Sequence, residues 1–165
     1  MNPVPTILLL SGPNLNLLGQ RQPEIYGQAT LADHVRRASA VAAEAGYALE
    51  HVQSNTEADL VDAIHAARGR VAGIVINPGA FTHYAWAIHD ALAAFDGPIV
   101  ELHLSNPRGR DAWRHTSVVA PVATGTIAGF GGEGYDLSIR ALVGLCQAAA
   151  GEQIEDRGPE PGGAS

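Results

Sequence analysis

The sequence contains no lysine: all ten of its basic residues are arginine. This absence excludes two kinds of chemistry. Without a lysine amine, the chain cannot form a Schiff base with a carbonyl substrate. It also cannot supply the lysine of a phosphate-binding P-loop. Any carbonyl chemistry must therefore use other side chains.

Cysteine and long apolar runs are equally scarce. The single cysteine, Cys146, cannot form an internal disulfide, and its Ala- and Leu-rich surroundings predict a buried apolar filler. No apolar run approaches the roughly 20 residues of a membrane span, and the N-terminus lacks the pattern of a signal peptide. We therefore expect a cytoplasmic protein with no membrane partner.

Basic charge is low overall, with a formal net charge of −7 and a pI near 5.4. Nucleic acids need a basic surface, so we expect no nucleic-acid partner. No grouping of His, Asp and Glu has metal-ligand spacing, and we expect neither a metal nor another cofactor. Apolar residues make up 46% of 165 residues, which is typical of one globular domain with a full core.

Segments with strand and helix periodicity alternate along the chain. The predicted strands are residues 6–10, 47–53, 71–76, 99–104 and 126–130. Four helices are predicted. The first begins at a capping box formed by Thr30 and Asp33, and the second begins after the polar residues 54–56. The third and fourth span residues 84–95 and 135–150. This order predicts an α/β fold: a flavodoxin-like, doubly wound parallel sheet of five strands in the order 2-1-3-4-5, with helices on both faces. The domain spans residues 1–150, and residues 151–165, rich in Gly, Pro and acid, are predicted to be a disordered tail.

The connection after the first strand, residues 11–27, is far longer than a turn requires. Its Pro and Gly residues disfavour a helix, and its apolar residues argue against disorder. Long irregular segments of compact domains are usually functional, so we interpret it as an active-site loop. Arg21 lies five residues before Tyr26, and a nearby guanidinium favours a tyrosinate. The alternative is a surface loop with a solvated Arg and a packing Tyr.

Ligands of such sheets bind beyond the carboxyl ends of the strands, where the strand order reverses. The polar segments 14–26, 77–83 and 103–114 follow strands one, three and four, so we expect them to converge. Alternation along strand four places Glu101, His103 and Ser105 on one face. A carboxylate beside an imidazole can orient it and hold its proton. The alternative is a buried ion pair with a purely structural role.

Several other polar residues are less informative. A lone His at the position of His83 more often makes a backbone hydrogen bond. We interpret Arg108 and Arg110 as exposed solubilising charge, although an arginine cluster can hold an anion. His34, His51 and His65 are interpreted as ordinary surface residues. The G-x-G-x-x-G pattern at residues 129–134 lacks a later strand, so it predicts tight strand-to-helix packing and not a dinucleotide site.

Three motifs resemble the type II 3-dehydroquinate dehydratase family. They are GPNLNLLG at residues 12–19 with Arg21 and Tyr26, NPGA at residues 77–80 with Thr82 and His83, and ELHLSN at residues 101–106 with Arg114, His115 and Ser117. The resemblance covers about residues 5–148. Ser11 and Phe81 stand where the family has Asn and Tyr, and Tyr84, Trp86 and Trp113 are bulkier or different.

The resemblance implies dehydration of 3-dehydroquinate to 3-dehydroshikimate through an enolate, in the shikimate pathway or in quinate breakdown. It implies that a Tyr26 phenolate removes the proton next to the ketone and that Arg21 stabilises this phenolate. Asn14 would orient a water on the enolate oxygen. His103 would protonate the departing hydroxyl, supported by Glu101.

The resemblance also implies how substrate and subunits are bound. The substrate carboxylate would meet Asn77 and the backbone N–H groups of Leu104 and Ser105. The ring hydroxyls would meet His83 and Arg114. The family assembles trimers into dodecamers, and Asp90 would reach a neighbouring subunit's site.

Two alternatives belong to other classes of protein. A flavodoxin-like FMN carrier needs a hydroxyl-rich loop after strand one, where this chain has GPNLNL. A non-catalytic ligand-binding module has no use for both the Tyr26–Arg21 and the Glu101–His103 pairs.

Overall fold

A computed structural model describes residues 2–20 and 22–155, without the side chains of Tyr26 and residues 153–155. Its five strands form one fully parallel sheet in the order β2-β1-β3-β4-β5, which confirms the predicted topology. The strands are β1 (Thr6–Ser11), β2 (Ala48–Gln53), β3 (Gly73–Asn77), β4 (Ile99–His103) and β5 (Gly125–Ala128).

The helices are α1 (Pro23–Tyr26), α2 (Leu31–Glu44), α3 (Glu57–Ala67), α4 (Trp86–Ala93) and α5 (Glu133–Glu155). Helix α2 begins where the sequence predicts, because the Thr30 side chain accepts from the Asp33 N–H and the Asp33 side chain accepts from the Thr30 N–H. At the start of α3, the Thr56 side chain accepts a hydrogen bond from the Asp59 N–H and so caps the helix.

The sheet separates two layers of apolar side chains, because successive strand residues point to opposite faces. On one face Leu8 and Leu10 of β1 pack with α3 and α4. On the other face Ile7 and Leu9 pack with α2 and α5. These strand residues are 2% exposed or less, so β1 is buried on both faces as a central parallel strand should be.

Three segments differ from the predictions. The first loop contains the one-turn helix α1, because Pro23 occupies a first-turn position where its missing N–H costs nothing. Helix α4 starts at Trp86, because the preceding residues form the 3-10 turn Gly79–His83. Helix α5 continues to Glu155, five residues into the predicted disordered tail, because the two glutamates and one glutamine of this stretch favour helix and one glycine is tolerated. Residues 156–165 lie outside the described residues.

Two histidines predicted to be surface residues are not. His34 is 3% exposed, and its ring stacks on Tyr135 at 4.9 Å between centroids, because α2 packs against α5. His51 is half-buried, and its Nε2 lies 2.9 Å from Ser11 Oγ. His65 is exposed as predicted. His34 and His51 lose exposure because they pack against elements that are distant from them in the sequence.

The glycine-rich segment before α5 and the single cysteine behave as the sequence predicts. A Cβ on Gly134 would stand 2.7 Å from Leu102 Cδ1, and one on Gly132 would stand 2.5 Å from His34 Cε1. The pattern therefore serves close packing of backbone against side chains. Cys146 is buried among apolar residues of α5 and the sheet. Among residues 2–20 and 22–155, no helix has the length and apolar character to span a membrane.

Candidate active site

The loops after β1 and β3 are in direct backbone contact at the carboxyl edge of the sheet. The Gly12 N–H donates to Asn77 O at 2.8 Å. A Cβ on Gly12 would stand only 2.2 Å from Pro78 O, so no other residue fits without moving one of the loops. This contact brings the first and second polar segments together, as the strand order predicts.

A cleft of about 110 Å³ opens at this point, between the loops after β1, β3 and β4. It lies where the strand order reverses, as expected for a doubly wound sheet. Seven of the predicted site residues line it: Asn14, Asn77, His83, His103, Leu104, Ser105 and Arg114. The convergence of the three segments is therefore confirmed.

His103 sits at the end of β4 with a carboxylate behind it. Its Nε2 lies 2.7 Å from Glu101 Oε1, and the glutamate side chain is fully buried whereas the histidine side chain is 12% exposed. The two residues are two apart on one strand, so they share a face, and β4 places one inside and one at the cleft. The arrangement can orient the imidazole and stabilise its charged form.

Glu101 is surrounded by hydroxyl groups. Thr82 Oγ1 donates to Oε1 at 2.5 Å, Ser117 Oγ donates to the same oxygen at 2.8 Å, and Thr126 Oγ1 lies 3.4 Å from Oε2. Burial alone would raise the pKa of Glu101, but hydrogen bonds from His103, Thr82 and Ser117 and the charge of His103 outweigh it, so the pKa is lowered. Glu101 is therefore a charged group in the core with a partner for its charge.

His83 faces the cleft from the opposite side. Its Nδ1 donates to Thr116 O at 2.7 Å, the backbone hydrogen bond predicted for a lone histidine here. Its ring meets Trp113 edge to face, at 5.0 Å between centroids. Burial lowers the pKa of His83, and the charges of His103 and Arg114 lower it further against the opposing bond to Thr116.

Two arginines give the cleft positive charge in an otherwise acidic protein. Arg114 lies over the Trp113 ring, with its guanidinium carbon 4.1 Å from the ring centroid. Arg110 Nη1 donates to Ser105 Oγ at 3.3 Å. Both arginines line the cleft beside the two histidines. The site is suited to a small anion that also carries hydroxyl groups.

Two asparagines complete the floor of the cleft. Asn14 has φ of +66°, a left-handed conformation that asparagine adopts more readily than most residues, and its N–H donates to Asn55 Oδ1 at 3.0 Å. Asn77 Oδ1 accepts from the Gly79 N–H at 3.3 Å. A strained backbone at a cleft is typical of functional sites.

The chain also matches known proteins over this region. The family model Dehydroquinase class II matches residues 5–143. The chain belongs to the class II dehydroquinase family. A 3-dehydroquinate dehydratase of Cereibacter sphaeroides is 57% identical over 141 residues, which is 86% of this chain and 96% of that protein.

Two further similarities support membership of the class II dehydroquinase family. A 3-dehydroquinate dehydratase 2 of Pseudomonas aeruginosa is 52% identical over 145 residues, or 88% of this chain and 98% of that protein. The crystal structure of a type II dehydroquinase from Propionibacterium acnes superposes with a TM-score of 0.81 at 42% identity, covering 84% of this chain and 96% of that one. Membership of the family decides against a flavin carrier and a non-catalytic module.

Two residues predicted to act in the dehydroquinase site, Glu101 and Asp90, do not line the cleft, and two others cannot be compared with it. Glu101 lies behind His103, inside the sheet. Asp90 is exposed on α4 and does not belong to the cleft lining. Tyr26 ends the one-turn helix α1, and its side chain is outside the described part of the chain, as is all of Arg21. The pairing of Tyr26 with Arg21 therefore stays a prediction.

The sequence analysis gave no role in the site to three residues that contribute to it, although it named Thr82 and Ser117 within the family motifs. Arg110, interpreted as solubilising charge, lines the cleft and contacts Ser105. Thr82 and Ser117 contact Glu101 from 19 and 16 residues away in the chain. No local pattern links positions so far apart, although Arg110 shares one polar loop with Arg114. Among the described residues, no group of three or more His, Cys, Asp or Glu could hold a metal ion.

Proposed function

We propose that this chain is a 3-dehydroquinate dehydratase, a hydro-lyase that removes water from 3-dehydroquinate to give 3-dehydroshikimate in the shikimate pathway. The family membership and the printed names of relatives at 52 to 57% identity support this activity. The observation that carries the proposal is the His103–Glu101 pair at the edge of a cationic cleft, because elimination of a hydroxyl needs a positioned proton donor.

The acid of the reaction is His103. In its charged form the imidazolium donates a proton to the hydroxyl that departs, and this oxygen leaves as water. Glu101 accepts from the ring at 2.7 Å and so stabilises the positive charge before the transfer. The buried position of the carboxylate strengthens this interaction, because little water screens it.

The base of the reaction is the Tyr26 phenolate, with Arg21 as its counter-ion. The base removes the proton next to the ketone, and the electron pair of that C–H bond becomes an enolate. Ionising a tyrosine of pKa about 10 at neutral pH costs about 4 kcal/mol, which a close guanidinium can offset in large part. The absence of lysine supports the enolate route, since an imine intermediate is impossible in this chain.

The remaining cleft residues bind the substrate. Asn77 and the backbone N–H groups of Leu104 and Ser105 hold the carboxylate at the ends of β3 and β4. His83 and Arg114 meet the ring hydroxyls from the opposite side, and Asn14 orients a water on the enolate oxygen. The presence of these side chains around one cleft, with positive charge facing an anionic substrate, supports these roles.

The assembly of the protein is a dodecamer of four trimers, in which Asp90 reaches the site of a neighbouring subunit. Asp90 and Trp86 are both exposed and lie one turn apart on α4, which supports a contact with another copy at this surface. Light scattering of the purified protein tests the assembly, and a monomer would contradict it. The assembly works in the cytoplasm, as the composition predicts.

A turnover assay tests the activity. Purified protein should convert 3-dehydroquinate into a product whose enone absorbs in the ultraviolet, without any added cofactor. The variant Tyr26→Phe should lose nearly all of this activity, because the phenol is the base. The control variant His65→Ala, at an exposed position of α3, should keep it. A folded wild-type protein without turnover would contradict the proposed activity, and an active Tyr26→Phe variant would contradict the proposed base.

A further inference from the structure

Two hydroxyl side chains outside the cleft converge on the carboxylate that supports His103. Thr82 Oγ1 and Ser117 Oγ lie 2.5 and 2.8 Å from Glu101 Oε1, the oxygen that also lies 2.7 Å from His103 Nε2. The two hydroxyl oxygens are 2.8 Å from each other. The reaction described above uses neither of them, and neither lines the cleft.

The hydrogen-bond partners of the Ser117 hydroxyl decide where its proton points. The backbone N–H groups of Val119 and Ala120 donate to Ser117 Oγ at 3.1 and 2.9 Å. A hydroxyl has one proton and two lone pairs. With both lone pairs occupied, Ser117 cannot accept from Thr82, and it donates its own proton to Glu101 at 2.8 Å. The Thr82 proton then lies toward Glu101, its shortest contact, so the whole cluster directs protons at the carboxylate.

A carboxyl group faced by donors is held in its ionised form. Three donors contact Oε1 of the fully buried Glu101, and protonating the carboxyl would remove the negative charge that strengthens all three hydrogen bonds. Because Glu101 is an acceptor, the proton of the neutral His103 ring sits on Nε2. The other ring nitrogen, Nδ1, is then the one that exchanges protons at the cleft.

We propose that Thr82 and Ser117 are positioning residues of the dehydratase: their hydroxyls keep Glu101 ionised and fixed in place, so that His103 adopts one tautomer and one orientation. This inference rests on the proposed function, because it names what holds the acid of that reaction. It explains why hydroxyl groups of two different loops contact one buried carboxylate.

The loop that carries Ser117 also connects the two sides of the cleft. The Val118 N–H donates to Thr82 O at 2.7 Å, and Thr116 O accepts from His83 Nδ1 at 2.7 Å. A substitution at Ser117 must therefore be separated from a general movement of this loop.

The titratable and charged groups around the Glu101–His103 pair, among the described residues, are His83 after β3 and Arg110 and Arg114 after β4. All variants below retain these three residues, so the charge they place at the pair stays constant.

The first experiment compares kcat and KM of Ser117→Ala and Thr82→Val with wild-type protein. Each should lower kcat by about 10- to 100-fold, the effect of losing a hydrogen bond to a charged group, and should leave KM unchanged. The matched controls Ser117→Thr and Thr82→Ser retain the hydroxyl and should stay within a few-fold of wild type. Thr126→Val should cost less, because its hydroxyl is 3.4 Å from the other oxygen of Glu101.

A second experiment, in protein that lacks the His103 imidazole, distinguishes a positioning role of Ser117 from a purely structural one. In His103→Ala protein, adding Ser117→Ala should cause no further loss of the residual activity, because the serine acts only through the histidine. An equal loss of kcat in both backgrounds, or a rise in KM without a fall in kcat, would overturn the proposal. If Ser117→Ala does not fold, as judged by thermal unfolding, Thr82→Val provides the same comparison.

NMR of protein labelled with ¹⁵N at histidine provides a readout that does not need turnover. The neutral His103 ring should carry its proton on Nε2 in wild-type protein and should populate both tautomers in Ser117→Ala and Thr82→Val. The His103 signal is assigned by its loss in His103→Ala. A single unchanged tautomer in the variants would refute the positioning role. A wild-type protein with no turnover would instead refute the proposed function, so the two failures are distinguishable.

Discussion

The two histidines of the cleft are held at the same distance by different partners. His103 has a buried carboxylate 2.7 Å from Nε2, whereas His83 has a backbone carbonyl 2.7 Å from Nδ1. A carboxylate carries a full negative charge and stabilises an imidazolium, while a carbonyl offers only a dipole. The pKa of His83 is lowered, first by burial. The comparison teaches that two histidines held at equal distances can differ in charge stabilisation, which suits His103 to the proposed role of proton donor and His83 to that of a neutral hydrogen-bonding group.

The most damaging change should be His103→Ala, which removes the proposed proton donor. We expect kcat to fall by about 10²- to 10⁴-fold, the usual contribution of general acid catalysis. Steady-state kinetics on 3-dehydroquinate measures the loss. The matched control His65→Ala, on an exposed face of α3, should retain wild-type kcat. A His103→Ala variant within tenfold of wild type would place the acid elsewhere.

Glu101→Gln should remove the difference between the two histidines, because an amide supports the ring without a negative charge. We expect kcat to fall by about 100-fold, as for the loss of an outer-shell partner. KM should change little, since Glu101 does not line the cleft. Combined with His103→Ala, the substitution should add almost nothing. Additive losses would show that Glu101 acts independently of the histidine.

His83→Ala tests the second histidine of the comparison, the one whose ring contacts a backbone carbonyl. If this ring binds substrate and transfers no proton, as proposed, KM should rise about tenfold, equal to losing one hydrogen bond of about 1.4 kcal/mol. The same kinetic assay separates KM from kcat. A fall in kcat as large as that of His103→Ala would mean that both histidines transfer protons.

The smallest expected effect is on the pH dependence of stability. Burial lowers the pKa of His83, as it does for His34 and His51. Because the pKa is lower in the folded protein, the unfolded chain binds the proton more tightly. The free energy of unfolding is therefore highest above the unfolded pKa of about 6.5. It falls as the pH drops below about 6.5 and through the lower pKa of the folded protein. Thermal unfolding between pH 7 and pH 5 should show this loss.

Two histidine variants isolate the contribution of His83 to this loss. His83→Gln should make the dependence of stability on pH shallower, because one titratable group with a lowered pKa is removed. His65→Gln, at an exposed position, should leave the dependence unchanged. A wild-type Tm that rises as the pH falls would contradict the assigned direction.

The fold could be predicted because its signals are local. The helix caps at Thr30 and Thr56 and the apolar strands identify elements from a few neighbouring residues, and right-handed crossovers then restrict the topology. The errors came where packing overrode local preference. His34 is a polar residue on a helix, and only the contact of α2 with α5 buries it against Tyr135.

The site could be predicted in part for the same reason. Glu101 and His103 are two apart on one strand, so alternation places them together. Arg110 was misassigned, because an exposed arginine and a cleft arginine look alike in sequence. Thr82 and Ser117 belong to the family motifs, but their contacts with Glu101 could not be predicted, because these contacts join separate loops.

The sequence by itself determined the order of the elements, the strand edge at which the cleft forms, and the exclusion of lysine chemistry. These follow from residue types and from contacts within a few positions of the chain. Only the tertiary structure decided which groups surround the buried carboxylate and which histidine is opposed by a charge. The reason is that burial and hydrogen bonding between distant segments depend on how the helices and loops pack around the sheet, and no short stretch of sequence records that packing.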